Sequence, residues 1–180
     1  MVYILLTDGF EEVEALTPID LLRRSNVEIK TVGIGTLHPT GAHGVQVVAD
    51  ITEAEVSVSD MEMLILPGGY PGYANLDNSK AVHALIDAAL QKDCFVAAIC
   101  GAPTILGKRG DLNGKVACCY PGMEADLKEA IVSEDPVCVD GHIITSRSAG
   151  TAMAFALTLV DVLCGKEQAS KMKQAIVLEK

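Results

Sequence analysis

The sequence predicts an α/β protein with a mostly parallel sheet covered by helices on both faces. Two observations carry that expectation. Short apolar runs alternate along the chain with segments of helical spacing. Several runs, such as Met63-Leu64-Ile65-Leu66, are apolar at every position instead of every second one, as in strands with no solvent face. The composition agrees: 49% of residues are hydrophobic but only 4% aromatic, so aliphatic side chains must build the core. A length of 180 residues suits one domain, 1–180.

The elements follow in order. Val2–Leu6 reads as a buried strand turning at Thr7-Asp8-Gly9. Glu11–Arg24 has helical spacing at Val13, Leu16, Ile19 and Leu21, with Arg23-Arg24 at the C-terminal end where the dipole favours cations. Pro18 should kink this helix. Val27–Ile34 is a second strand, and Val45–Ala49 a short strand or hairpin arm after the Gly41-Ala42-His43-Gly44 turn. Met63–Leu66 is a strand stopped by Pro67-Gly68-Gly69. Ser79–Lys92 is a helix with Val82, Leu85, Ile86 and Ala89 on one face. The strand Phe95–Ile99 leads into a helix from Pro103 to Lys108. Short strands are expected at Val116–Cys119, Val137–Val139 and His142–Ser146, with a weak helix over Ala125–Ala130. Thr151–Leu163 is a strongly apolar helix closed by Gly165, and Ala169–Val177 is the last helix.

Charge and spacing exclude several function classes. A net charge of −10 without a basic run argues against nucleic acid. The N-terminal apolar run is too short for a signal peptide or membrane span, so a cytoplasmic protein is expected, with no membrane partner. The six cysteines sit mostly in apolar runs, form no C-x-x-C pair, and share no ligand spacing with the four histidines. No strand is followed by G-x-G-x-x-G. Neither a metal nor another cofactor is expected.

Ligands of parallel α/β sheets bind beyond the carboxyl ends of the strands. The loops after Leu6, Leu66, Ile99 and Ser146 therefore converge. In Ala98-Ile99-Cys100-Gly101-Ala102, small residues two before and two after Cys100 fit the strand–nucleophile–helix elbow written G-x-S-x-G. A thiol there projects from the sheet edge near a helix N-terminus, which favours the thiolate. The Gly101 N–H is a natural oxyanion donor. A core cysteine at a strand end is the competing reading. Gly68-Gly69 forms either a plain turn or a backbone cradle for a substrate oxygen. Glu14 either complements the helix dipole or, if buried behind Val13, has a raised pKa.

Four segments then combine: "DGFEEVEALTPIDLLRR" (8–24), "LILPGGYPG" (64–72), "VAAICGAPTIL" (96–106) and "IITSRSAGTAMAFAL" (143–157). In this order and spacing the chain resembles the ThiJ/PfpI superfamily, in its DJ-one branch of glyoxalase III-like and protein deglycase enzymes. The resemblance spans Tyr3 to Val177. It implies a flavodoxin-like three-layer sandwich with a nucleophile elbow, and a homodimer. It implies that Cys100 is the reactive nucleophile, that Glu14 is a protonated glutamate bonded to it, and that Gly69 and Gly101 are oxyanion donors. Ser146 and Arg147 fall in the family's anion-lined rim, and His43 is placed to reach the site, from this chain or a partner subunit. Tyr120, in "CCYPG", stands where a well-known member has a histidine, and Ser148-Ala149-Gly150 replaces a usual Gly-Pro-Gly. The peptidase branch carries histidine after the cysteine, where this chain has Gly101. Glutamine amidotransferases of similar fold need a downstream His-x-Glu, which is missing.

The resemblance implies a cofactor-free cysteine enzyme acting on small α-oxoaldehydes such as methylglyoxal, or on their protein adducts. The alternative is a redox-sensing or stress-protective protein whose Cys100 is oxidised to sulfinate without turnover. A structural or holdase-like dimer is the third reading.

Overall fold

The computed structural model describes residues 1–178. Its elements are β1 (Val2–Leu6), α1 (Glu12–Arg24), β2 (Ile29–Gly33), β3 (Ile51–Thr52), β4 (Met63–Leu66), α2 (Gly72–Asp77), α3 (Lys80–Gln91), β5 (Phe95–Ile99), α4 (Pro103–Arg109), β6 (Val116–Ala117), β7 (Ile131–Val132), β8 (Val137–Asp140), β9 (Ile143–Ser146), α5 (Ala152–Cys164) and α6 (Lys166–Ala175). The main sheet has seven strands in the order β3-β2-β1-β4-β5-β9-β8, and β6 pairs with β7 in a small second sheet. Every pairing in the main sheet is parallel except β8 with β9. After β1 the chain builds outward through β2 and β3, then crosses back so that β4 lies on the other side of β1. That reversal opens a crevice at the carboxyl ends of β1 and β4, the position where doubly wound sheets bind ligands.

The sheet divides the core in two. Tyr3, Leu5, Leu64, Leu66, Val96 and Ala98 point to the face covered by α2, α3 and α4. Val2, Ile4, Leu6, Met63, Ile65, Ala97 and Ile99 point to the face covered by α1, α5 and α6. Both faces of the central strands are buried, which is why those strands carry no polar alternation. In α3, Val82, Leu85, Ile86 and Ala89 are the buried residues and the Ser79 side chain caps the first turn.

Two sequence expectations need correction. In α1 the inward face is Glu14, Ala15, Pro18, Ile19, Leu21 and Leu22, whereas Val13 is 49% and Leu16 39% exposed. The helix is rotated so that a carboxyl side chain, not those two apolar ones, enters the protein. It also runs unbroken through Pro18. Of the two readings of residues 45–49, the hairpin arm holds and the regular strand does not. They lie over residues 37–41 as a loose arm with one antiparallel bridge, Thr40 to Gln46. Among the described residues no helix is long and apolar enough to cross a membrane.

Candidate active site

Cys100 follows the last residue of β5 and adopts φ +66°, in the left-handed region that costs an ordinary side chain about 1–2 kcal/mol. The backbone around it over-determines that conformation. Its N–H donates to Ser146 O at 3.0 Å, and its carbonyl accepts from Tyr120 N–H at 2.8 Å. Pro103 opens α4 directly afterwards, where a missing N–H costs nothing. This is the elbow anticipated from the small residues at 98 and 102, both fully buried. The N–H groups of Gly69 and Gly101 lie close enough to Cys100 to favour its charged form, against the larger upward effect of burial. Gly69 sits at φ +91°, and a side chain there would strike the backbone of Gly9 and Glu11.

Glu14 reaches the sulfur from the first turn of α1. That turn is secured by Glu11, whose side chain accepts the Glu14 N–H at 2.7 Å. The Glu14 side chain is completely buried. Oε2 accepts the Gly68 N–H at 3.0 Å, while Oε1 is buried without a hydrogen bond. A carboxylate with one oxygen unpaired is costly to bury, and protonation lowers that cost by removing the charge. Burial raises the Glu14 pKa to about 7, against an opposing contribution from the Cys100 thiol it touches. Burial, followed by the nearby Glu14 charge, pushes Cys100 up to about 12. The two groups therefore titrate as one unit: a first proton leaves near neutrality and the second is retained into alkali.

Gly68 was missed as a site residue by sequence reasoning, although it lies in the Gly-Gly pair already singled out. A Cβ on it would lie 2.5 Å from the Cys100 Cβ and 2.6 Å from Glu14 Oε2. We expect Gly68→Ala to lower activity by roughly 10²-fold through displacement of both groups. It should also cost about 1–3 kcal/mol by overpacking, read as a drop in Tm.

Beyond the sulfur opens a cavity of about 520 Å³, lined by Glu11, His43, Tyr70, Tyr73, Cys100, Tyr120 and Met123 among others. Tyr73 lies under Gly101, so close that a Cβ there would meet its ring at 2.7 Å. Tyr70, Tyr73 and Met123 carried no sequence signal, because the short helix α2 and the turn before Glu124 have no periodicity to read. His43 lines this cavity from the same chain. Its Nδ1 and its backbone N–H each approach a Glu12 oxygen at 2.7 Å. That contact raises the imidazole pKa. On Glu12, burial acts upward but the His43 bonds prevail, leaving the carboxylate below its ordinary range. Glu11, Glu12 and His43 also form the one group among the described residues with three potential metal-ligating atoms in mutual reach.

Two expected rim residues are elsewhere. Ser146 is fully buried, and its hydroxyl is engaged by Pro136 O and Thr151 Oγ1, both at 2.7 Å. Arg147 turns outward and donates to Glu134 O. As the last residue of a central strand, Ser146 alternates into the protein while its carbonyl, not its side chain, holds the elbow.

A bent cysteine at the end of a central parallel strand, with a buried glutamate against it, is a combination that comparison with known proteins can place. The profile of the DJ-1/PfpI family matches residues 1–162. The chain belongs to the DJ-1/PfpI family. Protein dj-1beta of Drosophila melanogaster is 33% identical over 178 residues, covering 97% of this chain and 95% of that one. The crystal structure of Drosophila melanogaster DJ-1beta superposes with a TM-score of 0.94, covering 99% of this chain and 98% of that one. Protein DJ-1 homolog B of Arabidopsis thaliana is 36% identical over 98% of this chain, which spans 41% of that longer relative. A more distant member, at 28% identity over 94% of this chain and 91% of its own, is named glutathione-independent glyoxalase DJR-1.2 of Caenorhabditis elegans. The fold of this DJ-1/PfpI chain is thus the mostly parallel α/β sandwich expected from its strand pattern.

Proposed function

We propose that this DJ-1/PfpI protein is a cofactor-free, cysteine-dependent glyoxalase or deglycase for small α-oxoaldehydes or their early protein adducts, working in the cytoplasm. The observation that carries the reading is the meeting of three groups at one sulfur: the elbow of Cys100, the buried Glu14 carboxyl and the paired N–H groups of Gly69 and Gly101. The glyoxalase name of the nematode relative supports the same chemistry.

In the proposed reaction ionised Glu14 takes the thiol proton as the Cys100 sulfur adds to the aldehyde carbon, then returns it to the oxyanion, which gives a hemithioacetal and leaves Glu14 a free carboxylate. Gly69 and Gly101 donate to the oxyanion. Glu14 removes the proton from the former aldehyde carbon, and the resulting enediolate is reprotonated at the neighbouring carbon. The product is a thioester of the 2-hydroxy acid, and water releases the acid and restores the thiol. Tyr120, on the cavity wall, is a hydrogen-bond donor to the substrate and not the base, since a phenol is a poor base at neutral pH. The deciding experiment is lactate formation from methylglyoxal by the reduced protein. Formation above buffer supports the enzyme. Its absence, together with clean oxidation of Cys100 by peroxide, supports the redox-sensing alternative, in which protonated Glu14 bonds a sulfinate.

The working unit is proposed to be a homodimer. Val13 and Leu16 on α1, Val45 and Val48 on the arm that follows β2, and Met153 on α5 are all more than a third exposed. Helices α1 and α5 lie side by side, so their exposed apolar residues lie on one side of the sandwich. Light scattering should give twice the 19.0 kDa chain mass, and Leu16→Lys should return the protein to monomer.

A further inference from the structure

Outside the Cys100 site, two buried cysteines converge from different elements. Cys118 follows β6 and is 1% exposed, and Cys138 lies in β8 and is 5% exposed. Three independent contacts set them together. Cys138 is directly opposite Thr145 in the antiparallel β8–β9 register, so their side chains share a face of the sheet. Thr145 Oγ1 accepts the Cys118 N–H at 3.0 Å and lies 3.6 Å from the Cys118 sulfur. Two residues earlier, the Val116 N–H donates to the Asp140 carboxylate at 2.9 Å, so the Val116–Cys118 segment runs opposite in direction to β8 and sets residue 118 against residue 138. Burial raises the Cys118 pKa, and the neighbouring Cys138 adds to the rise through its charge, as two thiols set side by side in the interior should.

We propose that Cys118 and Cys138 form a second oxidisable site, closing a reversible intrachain disulfide when the protein meets a hydroperoxide. The inference does not depend on the glyoxalase reading. The cysteines are 20 positions apart, and between them lie Tyr120 and Met123, which line the cavity over Cys100. The bond therefore fastens the base of the segment that walls the active site to the edge strand of the main sheet.

The less buried Cys138 meets the oxidant. Its sulfur takes one oxygen from the hydroperoxide, giving a sulfenic acid and releasing an alcohol, or water from hydrogen peroxide. The Cys118 sulfur then attacks the sulfenic sulfur. The S–S bond forms, the S–O bond breaks, and the oxygen leaves as water with the thiol proton. Two thiols lose two electrons and the peroxide gains them. A thiol reductant reverses the bond.

The test uses the full chain carrying Cys100→Ser and Cys164→Ser, which removes the two thiols that are not buried, treated with hydrogen peroxide. Intact mass should fall by about 2 Da as two hydrogens are lost. A tryptic map should join the 116–128 peptide to the 129–147 peptide. Because the first peptide also holds Cys119, adding Cys119→Ser should preserve the link, while adding Cys118→Ser or Cys138→Ala should abolish it. The oxidised protein should melt at a higher temperature, and dithiothreitol should restore both mass and Tm. Stepwise gain of oxygen without a cross-link, or a link that survives Cys118→Ser, overturns the proposal. If a variant fails to fold, the cross-link map of the Cys100→Ser/Cys164→Ser protein and of its Cys119→Ser derivative decides alone.

Discussion

Lactate production from methylglyoxal is expected to fall by roughly 10³-fold or more when Cys100 becomes Ser, because a hydroxyl at that elbow has almost no ionised form at neutral pH. The substitution preserves size and the φ +66° geometry, so Tm should stay within a few degrees of the parent. That pairing of outcomes is the informative one. A large loss of turnover with an intact fold assigns the chemistry to the sulfur. Turnover that survives Cys100→Ser would show that the aldehyde is consumed elsewhere on the protein, and would remove the proposed mechanism.

Glu14→Gln should produce a second large effect, with opposite signs on activity and stability. The carboxyl has a folded-state pKa of about 7 against an ordinary 4.5. A raised acid favours folding fully below pH 4.5, and that contribution disappears as pH rises through about 7. At pH 8 the buried charge therefore costs the parent about 3 kcal/mol relative to a neutral group. Glutamine keeps the acceptor for the Gly68 N–H and carries no charge. Urea denaturation should show the variant more stable than the parent at pH 8, and the difference should vanish toward pH 5. Turnover should drop by about 10²–10⁴-fold, as for loss of a general base. The parent's alkylation of Cys100 by iodoacetamide should show an inflection near pH 7 that Glu14→Gln lacks. A variant no more stable at pH 8, or one that keeps the inflection, would contradict the shared-proton description.

Parts of this arrangement were legible in the sequence for identifiable reasons. Helix α3 could be read because it serves packing alone. Its apolar spacing coincides with its buried face, and Ser79 marks its start. The elbow could be read because a turn that tight admits only small neighbours, and Ala98 and Ala102 supply them. Helix α1 was legible as a helix but not in its rotation. Apolar spacing points to Val13 and Leu16, while the folded chain gives inward positions to Glu14 and Pro18. No periodicity announces a buried acid: the residues alone left Glu14 between a dipole partner and a buried carboxyl, and the resemblance of "EEVEALTPIDLLRR" chose the second. Ser146 was assigned to the rim by the resemblance alone, and its buried hydroxyl ties β9 to Pro136 and Thr151. His43 and Tyr120, which the resemblance drew attention to, line the cavity, but the aromatic wall of Tyr70 and Tyr73 depends on the path of the loop after β4, which pairwise spacing cannot encode.

The two margins of the main sheet carry a further consequence. On one side β3 is two residues long, too short to template another strand. On the other, β8 is four residues long, and the Val116–Cys118 segment lies against it. The Val116 N–H docks on the Asp140 carboxylate, and the preceding Lys115 pairs with the same group. Neither margin offers a long free ladder of N–H and carbonyl groups, the usual route by which sheets stack into fibres. Separation of the proposed dimer would therefore expose helix faces but no sticky strand, so strand-to-strand aggregation of the single chains is not expected.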